Sequence, residues 1–133
     1  MKVILADDNE KFLEGLRFYL RKSKDVEIIA EVRNGLELLN NENLSLADLV
    51  LIDLEMPQMG GIEATRKALW LYPHIQFIAI TMYTDKAYLK TLVEAGFKGC
   101  VFKDELYTDL PTAIYEVMHG KYHFPPDILV QEE

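Results

Sequence analysis

The sequence predicts an α/β fold in which a parallel sheet of five strands is covered by five helices. Short apolar runs alternate with helical patterns along the whole chain, and this alternation is typical of repeated strand-helix units. The five apolar runs have the length of strands rather than of helices. The candidate strands are Val3 to Ala6, Val26 to Val32, Leu49 to Asp53, Phe77 to Thr81 and Gly99 to Phe102.

The helices are predicted from apolar residues that recur at helical spacing between these strands. The first stripe consists of Phe12, Leu13, Leu16, Tyr19 and Leu20, and the last of Leu110, Ala113, Ile114, Val117 and Met118. Segments near 35–41, 61–72 and 85–95 complete the set of five.

The second strand differs from the first, third and fourth, which are apolar throughout. Its apolar residues Val26, Ile28, Ala30 and Val32 alternate with Glu27 and Glu31. One face of this strand is therefore partly wet, which predicts an edge position. That position fits the doubly wound strand order 2-1-3-4-5 of flavodoxin-like folds, with the switch point between strands one and three.

Composition limits the function classes. A chain of 133 residues is the size of one domain. Its net charge of -8 disfavours direct binding of nucleic acid, and no apolar stretch reaches the roughly 20 residues of a membrane helix. Cys100 is the only cysteine, which excludes an internal disulfide and a Cys-rich zinc site. We expect a cytoplasmic protein without a membrane partner, whose three histidines are surface or packing residues.

Charged and hydroxyl side chains stand at the carboxyl ends of the four strands other than the edge strand. They are Asp7 and Asp8 after the first strand, Asp53 at the end of the third, Thr81 at the end of the fourth and Lys103 after the fifth. Open α/β sheets place their functional groups at this edge. Three carboxylates there suit Mg²⁺, which prefers oxygen ligands. Asp53 could then attack a phosphoryl group whose oxygens are bound by Thr81 and Lys103.

Each residue also has a purely structural interpretation. Asp7, Asp8 or Asn9 could cap the following helix, and Asp53 could simply start the Pro/Gly turn that follows it. Thr81 could be an ordinary strand-end residue. Chemically useful groups at four strand ends are an improbable coincidence, so we favour the functional interpretation.

With these residues in place, the chain resembles the receiver domain of two-component response regulators. The resemblance rests on Asp7-Asp8, on Asp53 followed by Met56-Pro57 and Gly61, on Thr81, and on Lys103 in the run Gly99-Cys100-Val101-Phe102-Lys103. It implies that Asp53 accepts phosphate from a sensor histidine kinase and that Thr81 and Lys103 hold the phosphoryl group. It therefore implies a signalling switch rather than an enzyme.

The resemblance also implies a ligand set for Mg²⁺. Asp8, Asp53 and the backbone carbonyl of Glu55 would bind the ion directly, and Asp7 would bind it largely through water. A homodimer formed on phosphorylation remains open at this point.

Two further features resemble the NarL/LuxR-type subfamily: the Asn34-Gly35 pair and the closing Gly120-Lys121-Tyr122. We predict a receiver over residues 1–122 and a tail over 123–133 that begins a linker. In that subfamily a C-terminal helix-turn-helix domain binds DNA, so DNA would be contacted only through a domain outside this chain, with transcription as the output. The alternative is a stand-alone receiver that acts through protein contacts.

Cys100 departs from the receiver pattern, because Tyr or Phe is common three residues before the lysine. Cysteine is too small to act as a swinging ring. We therefore expect Thr81 and Tyr83 to pass the signal to the helix that contains Ala87, Leu89 and Leu92. Signalling through dimerisation alone is the alternative.

Two other function classes remain open. A Mg²⁺-dependent phosphohydrolase with an aspartyl nucleophile is disfavoured because Asp53-Leu54-Glu55-Met56-Pro57 lacks the Asp-x-Asp-x-Thr pattern of haloacid-dehalogenase-like phosphatases. A degenerate module that is never phosphorylated is disfavoured because every chemical position is filled.

Overall fold

The computed structural model describes residues 1–82 and 88–130 and contains the predicted sheet. Five parallel strands lie in the order β2-β1-β3-β4-β5. Their bounds are Lys2–Ala6 (β1), Glu27–Val32 (β2), Leu49–Asp53 (β3), Gln76–Thr81 (β4) and Gly99–Phe102 (β5). The predicted strand order is confirmed, and strand ends differ from the prediction by at most one residue.

Five α-helices are found within the described ranges. They are Glu10–Leu20 (α1), Gly35–Asn40 (α2), Gly61–Leu71 (α3), Leu89–Ala95 (α4) and Leu106–Met118 (α5), with short 3-10 turns at Leu44–Leu46 and Lys103–Glu105. Residues 85–87, the first part of the predicted 85–95 helix, lie outside the described residues.

The last helix begins one turn before the apolar stripe that predicted it, and it contains Pro111. Proline has no N–H to donate, so it leaves the carbonyl of Tyr107, four residues earlier, without its helical partner. The hydroxyl of Tyr19 donates to that carbonyl oxygen at 3.3 Å. A contact from α1 thus compensates for the missing helical bond and accommodates the proline.

The sheet is buried on both faces, which explains why the third strand is apolar throughout. Alternate residues of β3 point to opposite sides: Val50 and Ile52 pack in one core cluster, and Leu49 and Leu51 in the other. The first core lies against α2, α3 and α4, and the second against α1 and α5. This three-layer arrangement holds the carboxyl ends of the strands along one edge.

Strand β2 lies at the edge of the sheet, as its alternating pattern predicted. Glu31 on this strand accepts two hydrogen bonds from the Arg17 guanidinium, at 2.6 and 2.7 Å. The bond to Arg17 lowers the pKa of Glu31, against the opposing effect of partial burial. This bidentate ion pair connects the solvent-facing side of the edge strand to α1.

The chain after α5 packs against the domain. His123 forms a parallel bridge with Gly99, and Phe124 and Ile128 pack against the first core. The linker predicted for residues 123–133 stays a prediction. None of the described helices combines the length and apolar character that a membrane crossing requires.

Candidate functional site

The register of the parallel strands brings the predicted site residues to one edge of the sheet. Asp53, the last residue of β3, lies opposite Ile80 on β4, so Thr81 extends one position further. Thr81 in turn lies opposite Phe102, the residue before Lys103. Asp53 and Thr81 are buried. The strand-end pattern in the sequence therefore corresponds to one continuous site.

Three carboxylates form a cluster at this edge. Asp7, Asp8 and Asp53 each offer one oxygen, and these oxygens all lie within 4.8 Å of one another. Asp7 and Asp53 are buried, whereas Asp8 is exposed to solvent. The buried Oδ2 of Asp7 is paired with the Lys103 ammonium group, 2.8 Å away, rather than hydrogen-bonded to a backbone N–H of the described residues. A compact set of hard oxygen donors fits a divalent cation such as Mg²⁺.

Lys103 bridges two of these acids. Its ammonium nitrogen lies 2.8 Å from Asp7 Oδ2, as an ion pair, and 3.3 Å from Asp53 Oδ2, to which it donates a hydrogen bond. The same nitrogen lies 4.3 Å from the centre of the Phe12 ring. Burial alone would lower the pKa of Lys103, but the two carboxylates outweigh it and raise that pKa. The lysine is therefore a fixed positive charge beside Asp53.

Asp53 itself carries a perturbed carboxyl group. Burial, followed by the negative charge of Asp7, raises its pKa to about 6, although Lys103 and the backbone N–H of Glu55 partly oppose the shift. Ionisation of this carboxylate at neutral pH therefore lowers the stability of the folded chain. A buried acid whose pKa is shifted by burial and by specific charged neighbours is a frequent mark of a functional site.

The raised pKa predicts a pH-dependent stability in metal-free buffer. The folded chain binds the Asp53 proton more tightly than the unfolded chain does, so this group lowers stability as pH rises from about 4 to about 6. Asp53→Asn should therefore stabilise the metal-free protein at pH 7, by about 1–3 kcal/mol, and have little effect near pH 4. Urea unfolding of both proteins with a chelator at the two pH values measures this difference. An Asn variant that is less stable than the parent at pH 7 would contradict the electrostatic account.

The loop after β3 is shaped by close backbone approach. The N–H of Glu55 donates to Asp53 Oδ1 at 3.2 Å, and the N–H of Gly61 donates to the Leu54 carbonyl at 3.0 Å. A Cβ atom on Gly61 would lie 2.4 Å from the carbonyl oxygen of Asp53. A side chain at this position would clash with the backbone of β3, so the loop requires glycine here.

The helix-capping interpretation applies to Asn9 rather than to the two acids. The Asn9 side chain accepts a hydrogen bond from the N–H of Phe12 at 3.0 Å and caps α1. Asp7 Oδ1 supports this turn by accepting from the N–H of Asn9 at 2.8 Å. One oxygen of Asp7 thus serves the turn, and the other faces the site.

Sequence reasoning missed the role of Phe12, which it assigned only to the apolar stripe of α1. The ring is half-buried and lies beneath the ammonium group of Lys103, where it contributes a cation-π contact. The sequence did offer one signal for this role: Phe12 is the first residue of the apolar stripe of α1 and follows Asp8 by four residues.

Cys100 is fully buried in the first core, and burial raises the pKa of its thiol to about 12. It therefore packs as a small neutral side chain. Of the residues expected to pass on the signal, Tyr83 and Ala87 lie outside the described residues. Leu89 begins α4 and Leu92 is buried in the first core.

The fold is a doubly wound parallel α/β domain. Its site combines three acids with a paired lysine at the carboxyl ends of the strands, so it can bind a cation and an anionic group together. The sequence profile described as "Response regulator receiver domain" matches residues 3–115. The chain belongs to this family of receiver domains, as the sequence predicted.

The curated relatives are regulatory proteins. The uncharacterized transcriptional regulatory protein YhcZ of Bacillus subtilis is 38% identical over 104 residues, covering 78% of this chain and 49% of the relative. The response regulator protein VraR of Staphylococcus aureus is 28% identical over 131 residues, covering 98% of this chain and 63% of the relative. The chain therefore spans about half to two thirds of the length of these relatives.

Solved structures agree with the fold. A structure of the RcsB response regulator of Salmonella typhimurium has a TM-score of 0.86 at 30% identity, covering 96% of this chain and 66% of that one. The isolated RcsB receiver domain, determined with the phosphomimetic BeF3-, has a TM-score of 0.84 at 30% identity, covering 98% of this chain and 99% of that one. The flavodoxin-like fold with strand order 2-1-3-4-5 is thus confirmed.

Proposed function

We propose that this receiver domain is a phosphorylation-controlled switch in which Asp53 accepts a phosphoryl group from a sensor histidine kinase. The observation that carries the proposal is the position of Asp53: a buried carboxylate within the three-acid cluster, with Oδ2 3.3 Å from Lys103 Nζ. A nucleophile and a positive charge are thus already held side by side.

The proposed reaction is an in-line transfer. A carboxylate oxygen of Asp53 forms a bond to phosphorus while the bond from phosphorus to the histidine nitrogen of the kinase breaks, and the imidazole leaves with the bonding electrons. Lys103 stabilises the negative charge on the phosphoryl oxygens, and the Thr81 hydroxyl binds one of them. Water later hydrolyses the aspartyl phosphate and resets the switch.

The acidic cluster would hold Mg²⁺ during this transfer. We assign Asp8, Asp53 and the carbonyl of Glu55 as direct ligands, with Asp7 binding largely through water. A bound divalent cation neutralises charge between the carboxylates and the phosphoryl oxygens.

The output is proposed from the relatives. The two curated relatives named above are described as a transcriptional regulatory protein and as a response regulator, and both extend well beyond the matched region. We propose that residues 123–133 begin a linker to a helix-turn-helix domain that binds DNA, and that the protein works in the cytoplasm. One RcsB structure contains dimers bound to DNA, which supports a homodimer here after phosphorylation.

Acetyl phosphate and intact-mass measurement test the proposed function. In the presence of Mg²⁺ the protein should gain one phosphoryl adduct that decays with time. Continuous release of phosphate at many turnovers would indicate a phosphohydrolase instead. No adduct and no turnover would indicate a degenerate module and would contradict the switch.

Two residues that follow site residues closely in the sequence are predicted to set the lifetime of the phosphorylated state. The exposed Glu55 lies two residues after Asp53, and Tyr83, outside the described residues, lies two after Thr81. A charge and a ring there can steer or block the attacking water. We expect Glu55→Ala and Tyr83→Ala to change the dephosphorylation rate by about tenfold, equivalent to about 1.4 kcal/mol in barrier height.

Decay of the phosphorylated protein, followed by intact mass after removal of acetyl phosphate, provides the rates. Glu42→Ala is the matched control, because Glu42 is also exposed and lies between α2 and the 3-10 turn that precedes β3, whereas Asp53 ends that strand. Identical decay rates in the parent and both site variants would refute this assignment.

A further inference from the structure

The chain after α5 forms backbone hydrogen bonds with β5 and the residue before it, and side-chain contacts with α5. Of the predicted tail over 123–133, the structure describes residues 123–130, and the tail refers to these residues from here on. The N–H of Cys100 donates to the His123 carbonyl at 2.9 Å, and the N–H of His123 donates to the Lys98 carbonyl at 2.9 Å. The two ring nitrogens of His123 contact Glu116 Oε1 at 2.6 Å and Asp109 Oδ1 at 2.9 Å. The tail therefore extends the sheet beyond β5.

Two further backbone hydrogen bonds join the tail to the first turn of α4. The N–H of Leu89 donates to the Leu129 carbonyl at 2.6 Å, and the N–H of Lys90 donates to the Val130 carbonyl at 2.8 Å. The first N–H groups of a helix have no partner within the helix itself. The tail carbonyls supply those partners, and Ile128 holds the segment in place by packing against the first core.

The first turn of α4 is also connected, along the chain, to the candidate site. Only residues 82–87 separate Thr81, at the end of β4, from Tyr88. In the sheet order, Asp53 on β3 lies on one side of β4, and β5 with the tail lies on the other. A pull on Thr81 toward Asp53 is therefore directed away from the tail.

We propose that the tail is a strap whose hold on α4 is weakened when Asp53 is phosphorylated. The inference rests on the proposed function, since it requires a phosphoryl group on Asp53 that attracts the Thr81 hydroxyl. Movement of Thr81 draws the start of α4 away from Leu129 and Val130, and the two backbone hydrogen bonds break. Because the tail is also the predicted start of the linker, its release passes the signal to the next part of the chain.

Linkage makes the coupling reciprocal. If a phosphoryl group releases the strap, a variant with a weakened strap binds a phosphoryl mimic more tightly by the same factor. Ile128→Asp is the variant of choice, because it places a carboxylate where a half-buried apolar side chain packs against the core. Val130→Asp is the matched control, because it makes the same chemical change in the same segment at a side chain that is 66% exposed.

The test uses the whole 133-residue chain with beryllofluoride and Mg²⁺ as the phosphoryl mimic. Amide hydrogen exchange of Leu89 and Lys90 reports the strap, and titration followed by NMR gives the affinity for the mimic. In the parent, both amides should exchange about fivefold faster when the mimic is bound. Ile128→Asp should bind the mimic about fivefold more tightly, and Val130→Asp should match the parent.

The outcomes separate this inference from the proposed function. A parent that binds the mimic without faster exchange at Leu89 and Lys90, or an Ile128→Asp variant with unchanged affinity, overturns the strap and leaves the phosphorylation site intact. A parent that binds no mimic at all contradicts the proposed function, and the strap falls with it.

Discussion

Asp53→Asn should abolish the phosphoryl adduct while the protein stays folded. The amide has nearly the size of the carboxylate and can still accept the hydrogen bond from the N–H of Glu55. It is, however, a poor nucleophile toward phosphorus. The expected result is complete loss of the stable adduct after incubation with acetyl phosphate and Mg²⁺, measured by intact mass.

The control for this experiment is Asp104→Asn. Asp104 is an exposed acid next to Lys103 in the chain, so the variant loses one carboxylate close to the site without touching the buried cluster. It should gain the adduct at the parental level. An Asp53→Asn protein that gains the same stable adduct as the parent would overturn the assignment of the phosphoacceptor.

Asp8→Ala should remove most of the stabilisation that Mg²⁺ provides. An ion that binds only the folded chain stabilises it by about 2.7 kcal/mol at a concentration one hundred times its Kd. For a domain of this size, that corresponds to a rise in Tm of roughly 10 °C. Asp8 is the exposed member of the cluster, so its loss removes a ligand without opening the core.

The measured quantity is the Mg²⁺-dependent shift in Tm rather than Tm itself, because Asp8→Ala also relieves repulsion among the acids in metal-free buffer. Glu55→Ala is the matched control. The ligand proposed at Glu55 is its backbone carbonyl, which the substitution retains, so this variant should show the parental shift. A full Mg²⁺ shift in Asp8→Ala would place the metal elsewhere.

Strand order and the composition of the site were both accessible from the sequence. Periodicity is a local property, and the alternation of Glu27 and Glu31 with apolar residues was enough to place β2 at the edge. The convergence of Asp7, Asp53 and Lys103 followed in turn, because parallel strands present their carboxyl ends along one edge.

Other features depended on contacts between residues far apart in the chain. No periodicity indicates that the Lys103 ammonium lies over the Phe12 ring, or that the Tyr19 hydroxyl serves the carbonyl left free by Pro111. The sequence predicted a tail over residues 123–133 after the closing Gly120-Lys121-Tyr122. It carried no sign that the carbonyls of Leu129 and Val130 would meet the start of α4.

By itself, the sequence determined the layered α/β fold, the edge strand and the groups that gather at the strand ends, since these follow from patterns within single elements. The tertiary structure decided the raised pKa of Asp53, the fixed position of Lys103 and the docking of the tail on α4. Those properties depend on burial and on distances across the packed chain. Such quantities arise only when elements distant in sequence are brought together.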